Sequence, residues 1–453
     1  MSLLLSLAFS FSAPLQQQPE DGRGQGIFSQ EWHADRRTAL MEKVGKGVIV
    51  LRGAGTQNDY REFRQDNNFW YFTGVTTPNA VLVMVPATGQ QTLLVPHVDP
   101  GMEVWQGDLI DPDEAKIITG IEDCRHIGSK PRSAWGGLSW SGVEDLLSKL
   151  AKKNDTFYVQ GQPAENWMMS RDNLQSATNA VRRDPYDGRK TREGQFATSL
   201  REKHGVKTKD ITVSIDALRV FKTPEEVEAM RGACRVSGAA HEKIMREAKA
   251  GDYEWQLAAE MTGEMLRNGA MGPGYMAIVG SGPNACILHY SANNRTLEDG
   301  DVVMIDYGAE YNHYIADISR SWPVSGKWTK RQREVYQAVY DAQEAAFEKC
   351  KPGSNLSQVH AAAAALLKKR GFEDAFWHGT SHWLGMATHD VGARLAQFKP
   401  GVAFTVEPGV YLPDEGIGVR IEDVVVITED GYELISSMIP RDPDDIEELR
   451  RGR

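Results

Sequence analysis

Short runs of branched and aromatic residues punctuate the chain from Val44 to about Gly161: VGKGVIVL, NNFWYFTGV, AVLVMVPA, QTLLVPH and TFYVQG. Gly, Pro, Asn or Asp bounds each run, the pattern expected of strands. Two polar–apolar helical stretches lie among them, so the region reads as an α/β (α+β) domain. Between Asp184 and Lys209 the sequence turns basic and polar, and apolar periodicity weakens. That suits a surface helix and a connection, with a domain boundary near 185–215.

Beyond the boundary, Thr223, Pro224 and Glu226 spell a capping box with Pro at the first helical position. Val227, Met230, Cys234 and Val236 give this helix its buried stripe, and Gly251 offers a stop. A second helix is expected from Trp255 to Arg267, followed by the Gly-rich stretch MGPGYMAIVGSGPNA. A strand pair around DVVMIDYG and ADISRSW comes next, then helices from Arg331 to Lys349 and from Leu356 to Lys369. Strands at AFTVEPGVYL and GVRIEDVVVI close the pattern. The order helix, helix, strands thus occurs twice, a hint of duplication.

Composition narrows the class. A chain of 453 residues is long enough for two or three domains, and 41% apolar with 25% charged residues is ordinary for a packed core. The formal charge of −11 repels phosphate backbones, so no nucleic-acid partner is expected. The four cysteines, Cys124, Cys234, Cys286 and Cys350, contain no CxxC pair, which removes zinc-knuckle and dithiol chemistry. No run approaches the roughly 18 to 20 apolar residues of a membrane span. Leu3 to Ala13 is an apolar stretch of signal-peptide length, yet no Lys or Arg precedes Arg23. Residues 1–26 are therefore expected outside the fold, as a signal or a disordered extension, and cytoplasmic and exported locations both stay open.

Candidate chemistry concentrates in the second half. Asp306 ends an apolar run and Asp317 begins the next, with Tyr311 and Asn312 midway, so a hairpin centred there makes the two aspartates face each other. Facing Cβ atoms lie about 4.5–5.5 Å apart, a spacing that two carboxylates tolerate poorly without a cation. Two solvated aspartates flanking a turn would give the same pattern. HGTSHWLGMATHD brings His378, His382 and His389 within twelve residues, three of the eleven histidines in the chain. It lacks the Glu of a zincin helix, and hydrogen-bonded core histidines would account for any one of them. Glu407 precedes a strand-breaking Pro-Gly, and Glu422 lies among Val419, Ile421, Val424 and Val425 in a strand apolar enough to be buried. A buried carboxylate needs a partner, either a metal or Arg420 on the same strand face. Four carboxylates and one imidazole suit hard or borderline divalent ions.

Asp306, Asp317, His382, Glu407 and Glu422, in this order and within NACILHY, MIDYGAEYNHYIADISR, HGTSHWLGMATHD, TVEPGVYL and GVRIED, resemble the metal site of the pita-bread fold peptidases, and among them aminopeptidase P (Xaa-Pro aminopeptidase). RQDNNFWYFTGV and MEVWQGD extend the resemblance to the first domain, over nearly all of 28–445. It implies a creatinase-like N-terminal domain over 27–200, followed by a pita-bread metallopeptidase domain over 215–445. It also implies release of the N-terminal residue from peptides with proline second, by attack of a hydroxide bridging two divalent ions, foremost Mn2+. Asp306 would chelate one ion, His382 and Glu407 the other, and Asp317 and Glu422 would bridge. Glu407 would carry the proton, while His289 and His389 would orient substrate and stabilise the tetrahedral intermediate. Arg420 and Tyr411 match further active-site positions, Tyr275 resembles a donor behind the aspartates, and His378 is placed with the substrate-binding residues. Trp105 resembles a residue reaching a neighbouring subunit's site, in a homo-oligomer (dimer or tetramer).

Proline selectivity has a physical basis, because the X-Pro amide offers no N–H and carries a ring of fixed φ. Thr388, where Ile or Val is expected, and a short segment from Gly392 to Gly401, with Arg394 in the place of a loop arginine, depart from the family pattern. The nearest rival is a prolidase, with the same ligands but X-Pro dipeptides as substrates. Methionine aminopeptidases lack such a first domain, and metal-free binding modules and creatinase-type amidinohydrolases lack the ligand set.

Overall fold

A computed structural model describes residues 26–451, apart from 58–59, 61, 98–99, 108, 132–136 and 167–169. All but the last residue of the expected 1–26 extension lies outside the described residues. Among them no helix is long and apolar enough to cross a membrane.

Six strands form one mixed sheet in the first unit: β1 (Val48–Arg52), β2 (Val81–Val85), β3 (Gln90–Val95), β4 (Asp123–His126), β5 (Thr156–Val159) and β6 (Lys207–Asp210). Their spatial order is β4-β3-β2-β1-β5-β6, antiparallel through β1, β2 and β3 and parallel at both edges. Side chains alternate across this sheet. Val50, Val83, Leu94 and Phe157 join one core with Leu147 and Leu200, whereas Ile49, Leu51, Leu82 and Leu93 join a second core that continues through the rest of the chain. Burial of both faces is why these strands read as unbroken apolar runs. Because β6 belongs to the sheet, the first unit extends to Asp210, past the expected end at 200.

Asn67–Thr73 is a helix, not the strand expected from NNFWYFT. All seven residues are buried, so no polar face marks the helical period. Its ends decide the matter: Asp66 caps the Phe69 amide at 2.8 Å, and Gly74 closes the helix in the left-handed region at φ 68°.

The second unit opens with the helix Pro224–Glu247, capped as expected by Thr223 and Glu226. The helix Glu254–Arg267 follows, and the pair Lys330–Phe347 and Leu356–Lys369 repeats the arrangement. Small antiparallel sheets lie between and after these pairs. β7 (Gly272–Pro273), β10 (Ala309–Tyr311) and β11 (Tyr314–Ile315) make one, and β8 (Ile278–Ser281), β9 (Val302–Asp306) and β12 (Ser319–Pro323) the next. β13 (Ala403–Val406), β16 (Asp423–Ile427) and β17 (Tyr432–Leu434) make a third, and β14 (Gly409–Leu412) pairs with β15 (Ile417–Arg420). The helix Pro443–Arg451 buries Ile446 against this unit, carrying it past residue 445.

The expected facing of Asp306 and Asp317 is corrected by two residues: Asp306 lies opposite Ser319. The turn sits at Asn312–His313, both in the left-handed region at φ 47° and 67°, a two-residue turn one step later than the assumed centre. A slip of two keeps both aspartates on one face, as diagonal neighbours. Glu422 lies between β15 and β16 rather than inside one strand.

Buried charge ties the two units together. Arg219 donates to Asn68 at 2.6 Å and Glu165 at 2.9 Å, and to Asp390 at 2.6 Å. Arg64 reaches Glu310 at 2.7 Å.

Candidate active site

Chain breaks bring the carboxylates together. Asp306 ends β9, Asp317 precedes β12, Glu407 sits before the Pro408-Gly409 break between β13 and β14, and Glu422 fills the gap between β15 and β16. His382 lies on a loop held to β13: the Thr405 amide donates to the His382 carbonyl at 3.0 Å, and the His382 amide donates to the Thr405 hydroxyl at 3.1 Å.

His382 Nε2 stands 3.4 Å from Asp317 Oδ2, 3.5 Å from Glu407 Oε1 and 3.9 Å from Glu422 Oε1. Asp317, His382 and Glu422 offer ligand atoms within 4.8 Å of one another. Asp306 is held nearby, with Oδ1 accepting from Tyr275 and Oδ2 from Arg420, each at 2.7 Å. Arg420 therefore pairs with Asp306, and Glu422 instead accepts from the Ser319 hydroxyl at 2.8 Å. Ser319 in turn accepts from Arg420 Nε at 2.9 Å.

Electrostatics register the crowding. Burial, with the Arg420 charge opposing it and Asp317 adding to it, lifts the Asp306 carboxyl to about 6. Burial lifts Glu407 to about 7 against the pull of His382, and pushes Glu422 well above the usual range, helped by Asp317 and Asp306. Burial also acts on Asp317, yet its hydrogen bond to His382 holds it below the ordinary value. His382 resists the effect of burial and rises to about 9 through Asp317 and Glu407. Three buried carboxyl groups and the half-buried Glu407 thus face one guanidinium and one imidazole, a surplus of negative charge that divalent cations would neutralise. The donor set fits such ions.

His378 donates to or accepts from Tyr411 Oη through Nε2 at 2.8 Å, and Tyr411 accepts from Arg420 at 3.0 Å. Burial and then the Arg420 charge drive His378 down to about 3. His389 lies beside His382, with ring centroids 4.1 Å apart. His289 is exposed on the turn after the short 3₁₀ segment Gly282–Cys286. Trp105 stands apart on the helix Pro100–Gln106, 76% exposed.

Two residues of the site escape the sequence patterns. Ser319 links Arg420 to Glu422, and Asp172 Oδ2 meets His389 Nδ1 at 2.9 Å from the first turn of the helix Arg171–Arg183. The Arg171 amide also donates to the His389 carbonyl at 3.1 Å. Burial opposes the ionised form of Asp172, but hydrogen bonds from Ser170 and His389 lower it to about 2. Nothing local in RDNLQ marks this aspartate, since its partner is 217 residues away.

Fold and site together define a metallopeptidase of the pita-bread class, with mixed α/β units and an aminopeptidase-type first domain. The metallopeptidase family M24 profile matches residues 228–429, and that of the aminopeptidase P N-terminal domain matches 33–133. The Xaa-Pro aminopeptidase of Escherichia coli is 33% identical over 91% of this chain and 96% of its own length. Proline aminopeptidase P II from Yersinia pestis superposes with a TM-score of 0.78 at 31% identity, covering 94% of this chain and all of that one. The Xaa-Pro dipeptidase of Pyrococcus furiosus is 38% identical, over 54% of this chain and 72% of its own. The chain belongs to the Xaa-Pro aminopeptidase family.

Proposed function

We propose that this enzyme, a metalloaminopeptidase, releases the N-terminal residue from peptides with proline second, using two divalent ions held by Asp306, Asp317, His382, Glu407 and Glu422. The observation that carries this reading is the buried surplus of carboxylate around His382 Nε2. Oxygen-rich ligation with one imidazole favours Mn2+. Asp317 and Glu422 would be shared between the ions, Asp306 would hold one, and His382 and Glu407 would hold the other. When bound, the ions lower the pKa of a water and polarise the scissile carbonyl.

Around that centre the chain's own groups bind, orient and move protons. Glu407 serves as the proton carrier in this reading. Asp172 fixes the His389 ring through Nδ1 and leaves Nε2 for the substrate, and His289 faces the substrate from its turn. Hydrogen bonds run in a chain from His378 through Tyr411 and Arg420 to Asp306 and hold these groups beside the centre. Val104 and Trp105, 86% and 76% exposed, form an apolar pair suited to an interface in a homo-oligomer, in which Trp105 reaches a second copy's site.

The dipeptidase reading has less support, because that relative aligns with about half of this chain whereas the aminopeptidase match includes the first unit. Arg-Pro-Pro, Arg-Ala-Pro and the dipeptide Arg-Pro, each assayed with Mn2+, separate the readings. Cleavage of Arg-Pro-Pro into Arg and Pro-Pro is expected, at least about tenfold faster than Arg-Ala-Pro, whose extra N–H the pocket leaves unpaired. Equal rates for the two tripeptides would point to a general aminopeptidase, and turnover confined to Arg-Pro to a prolidase.

A further inference from the structure

A cavity of about 340 Å³ opens in the first unit between the helices Ser141–Ala151 and Arg192–His204 and the adjoining ends of β1 and β2. Val81, Val143, Leu147 and Leu200 give it an apolar wall, and Gln195, Ser199, Lys203 and His204 are polar residues on the same lining. At one end stand two cations. Arg52 is the last residue of β1, and its guanidinium carbon lies 5.5 Å from the Trp140 ring centroid and 4.8 Å from that of Phe196. Among the described residues, no oxygen accepts a hydrogen bond from this guanidinium. Arg192 donates Nη1–H to the Gly53 carbonyl at 2.7 Å, while its Nη2 is buried with no partner among the described residues.

Counter-charge is short. Glu193 lies 3.9 Å from Arg192 Nη1, and burial pushes its carboxyl above the ordinary range. Glu144, also on the lining, is engaged by Lys203 at 3.6 Å and His204 at 3.5 Å. Burial and the field of Arg192 draw Arg52 down to about 10. Keeping two guanidiniums beside one weakened carboxylate, against an apolar wall, is costly, and aliphatic residues would avoid the cost.

We propose that this cavity binds a small organic carboxylate with a flat or branched apolar body. The carboxylate takes the N–H groups of Arg52, whose planar fork matches it with paired bonds, and the charge of Arg192 lies beside it. The apolar body lies along Val81, Val143 and Leu147, in a volume of the size that encloses small ligands. This site is separate from the metal centre and does not depend on the proposed peptidase activity.

Calorimetric titration of the full chain with 4-phenylbutyrate and with 4-phenyl-1-butanol tests it. The acid should bind at least about tenfold tighter than the alcohol. Arg52→Leu should erase that difference, raise Tm and leave peptide turnover unchanged. Arg192→Gln, which keeps the Arg52 cation, should weaken the acid by at least about threefold and serves if Arg52→Leu does not fold. Equal binding of acid and alcohol, no heat from either up to about 10 mM, or an acid preference that survives both substitutions would overturn the assignment.

Discussion

Asp172 and His389 belong to different units and meet through one hydrogen bond of 2.9 Å. If Asp172 fixes the imidazole, Asp172→Ala should lower kcat about tenfold without changing metal content, the usual cost of losing an outer-shell partner. Asp172→Asn, which still offers an acceptor, should recover part of the loss. Unchanged kcat in Asp172→Ala would remove the role, and loss of metal would place His389 among the ligands. The carboxyls make a second prediction, on pH. Asp306 at about 6 and Glu407 at about 7 sit above their ordinary values, so their contribution favours the fold below about pH 4 and is lost as pH rises through 6 to 7. Above about pH 6.5, where the buried histidines no longer add to the slope, Tm of the metal-free protein should therefore fall towards about pH 8, divalent metal should restore it, and Glu407→Gln should flatten the slope. A metal-free Tm that climbs over that interval in the wild type, or an equal slope in Glu407→Gln, would contradict the account.

At the scale of elements, patterns that depend on neighbours in the chain were legible and those that depend on partners were not. The capping box at Thr223 and the helix Leu356–Lys369 appear as read, because caps and the helical period are local signals. Asn67–Thr73 misled because burial on all sides erases the period. The five candidate ligands were legible from Asp306 and Asp317 at the ends of apolar runs, His382 in the histidine-rich stretch, Glu407 before Pro-Gly and Glu422 in an apolar strand, and their convergence follows from the chain breaks placed there. Asp172 and Ser319 were not, since a serine in a strand or an aspartate opening a helix has an ordinary local explanation. The hairpin register depended on the turn at Asn312–His313, and Gly308 shows how tightly it is set: a Cβ there would lie 1.8 Å from the Ala316 carbonyl oxygen. Gly308→Ala should cost about 3 kcal/mol of stability in urea unfolding. A loss below about 1 kcal/mol would show that the hairpin can shift to admit the methyl group.

Across the whole molecule, Arg219 sits where the units meet, with Glu165 and Asp390 as its buried partners. Asp390 follows His389 directly, so the same contact that joins the units also places the loop that carries His389. Arg219→Met would leave two buried carboxylates less well compensated and should cost about 3–5 kcal/mol, together with a loss of turnover. Wild-type-like stability in that variant would mean the ion network is not what holds the units in place. The central claim, a two-ion hydrolytic centre acting on Xaa-Pro peptides, is tested most directly by titrating Mn2+ into the chelator-stripped protein while Arg-Pro-Pro cleavage is recorded. Activity should be absent at the start and level off at two equivalents of metal per chain. A plateau at one equivalent, or cleavage that persists in the stripped protein, would contradict it.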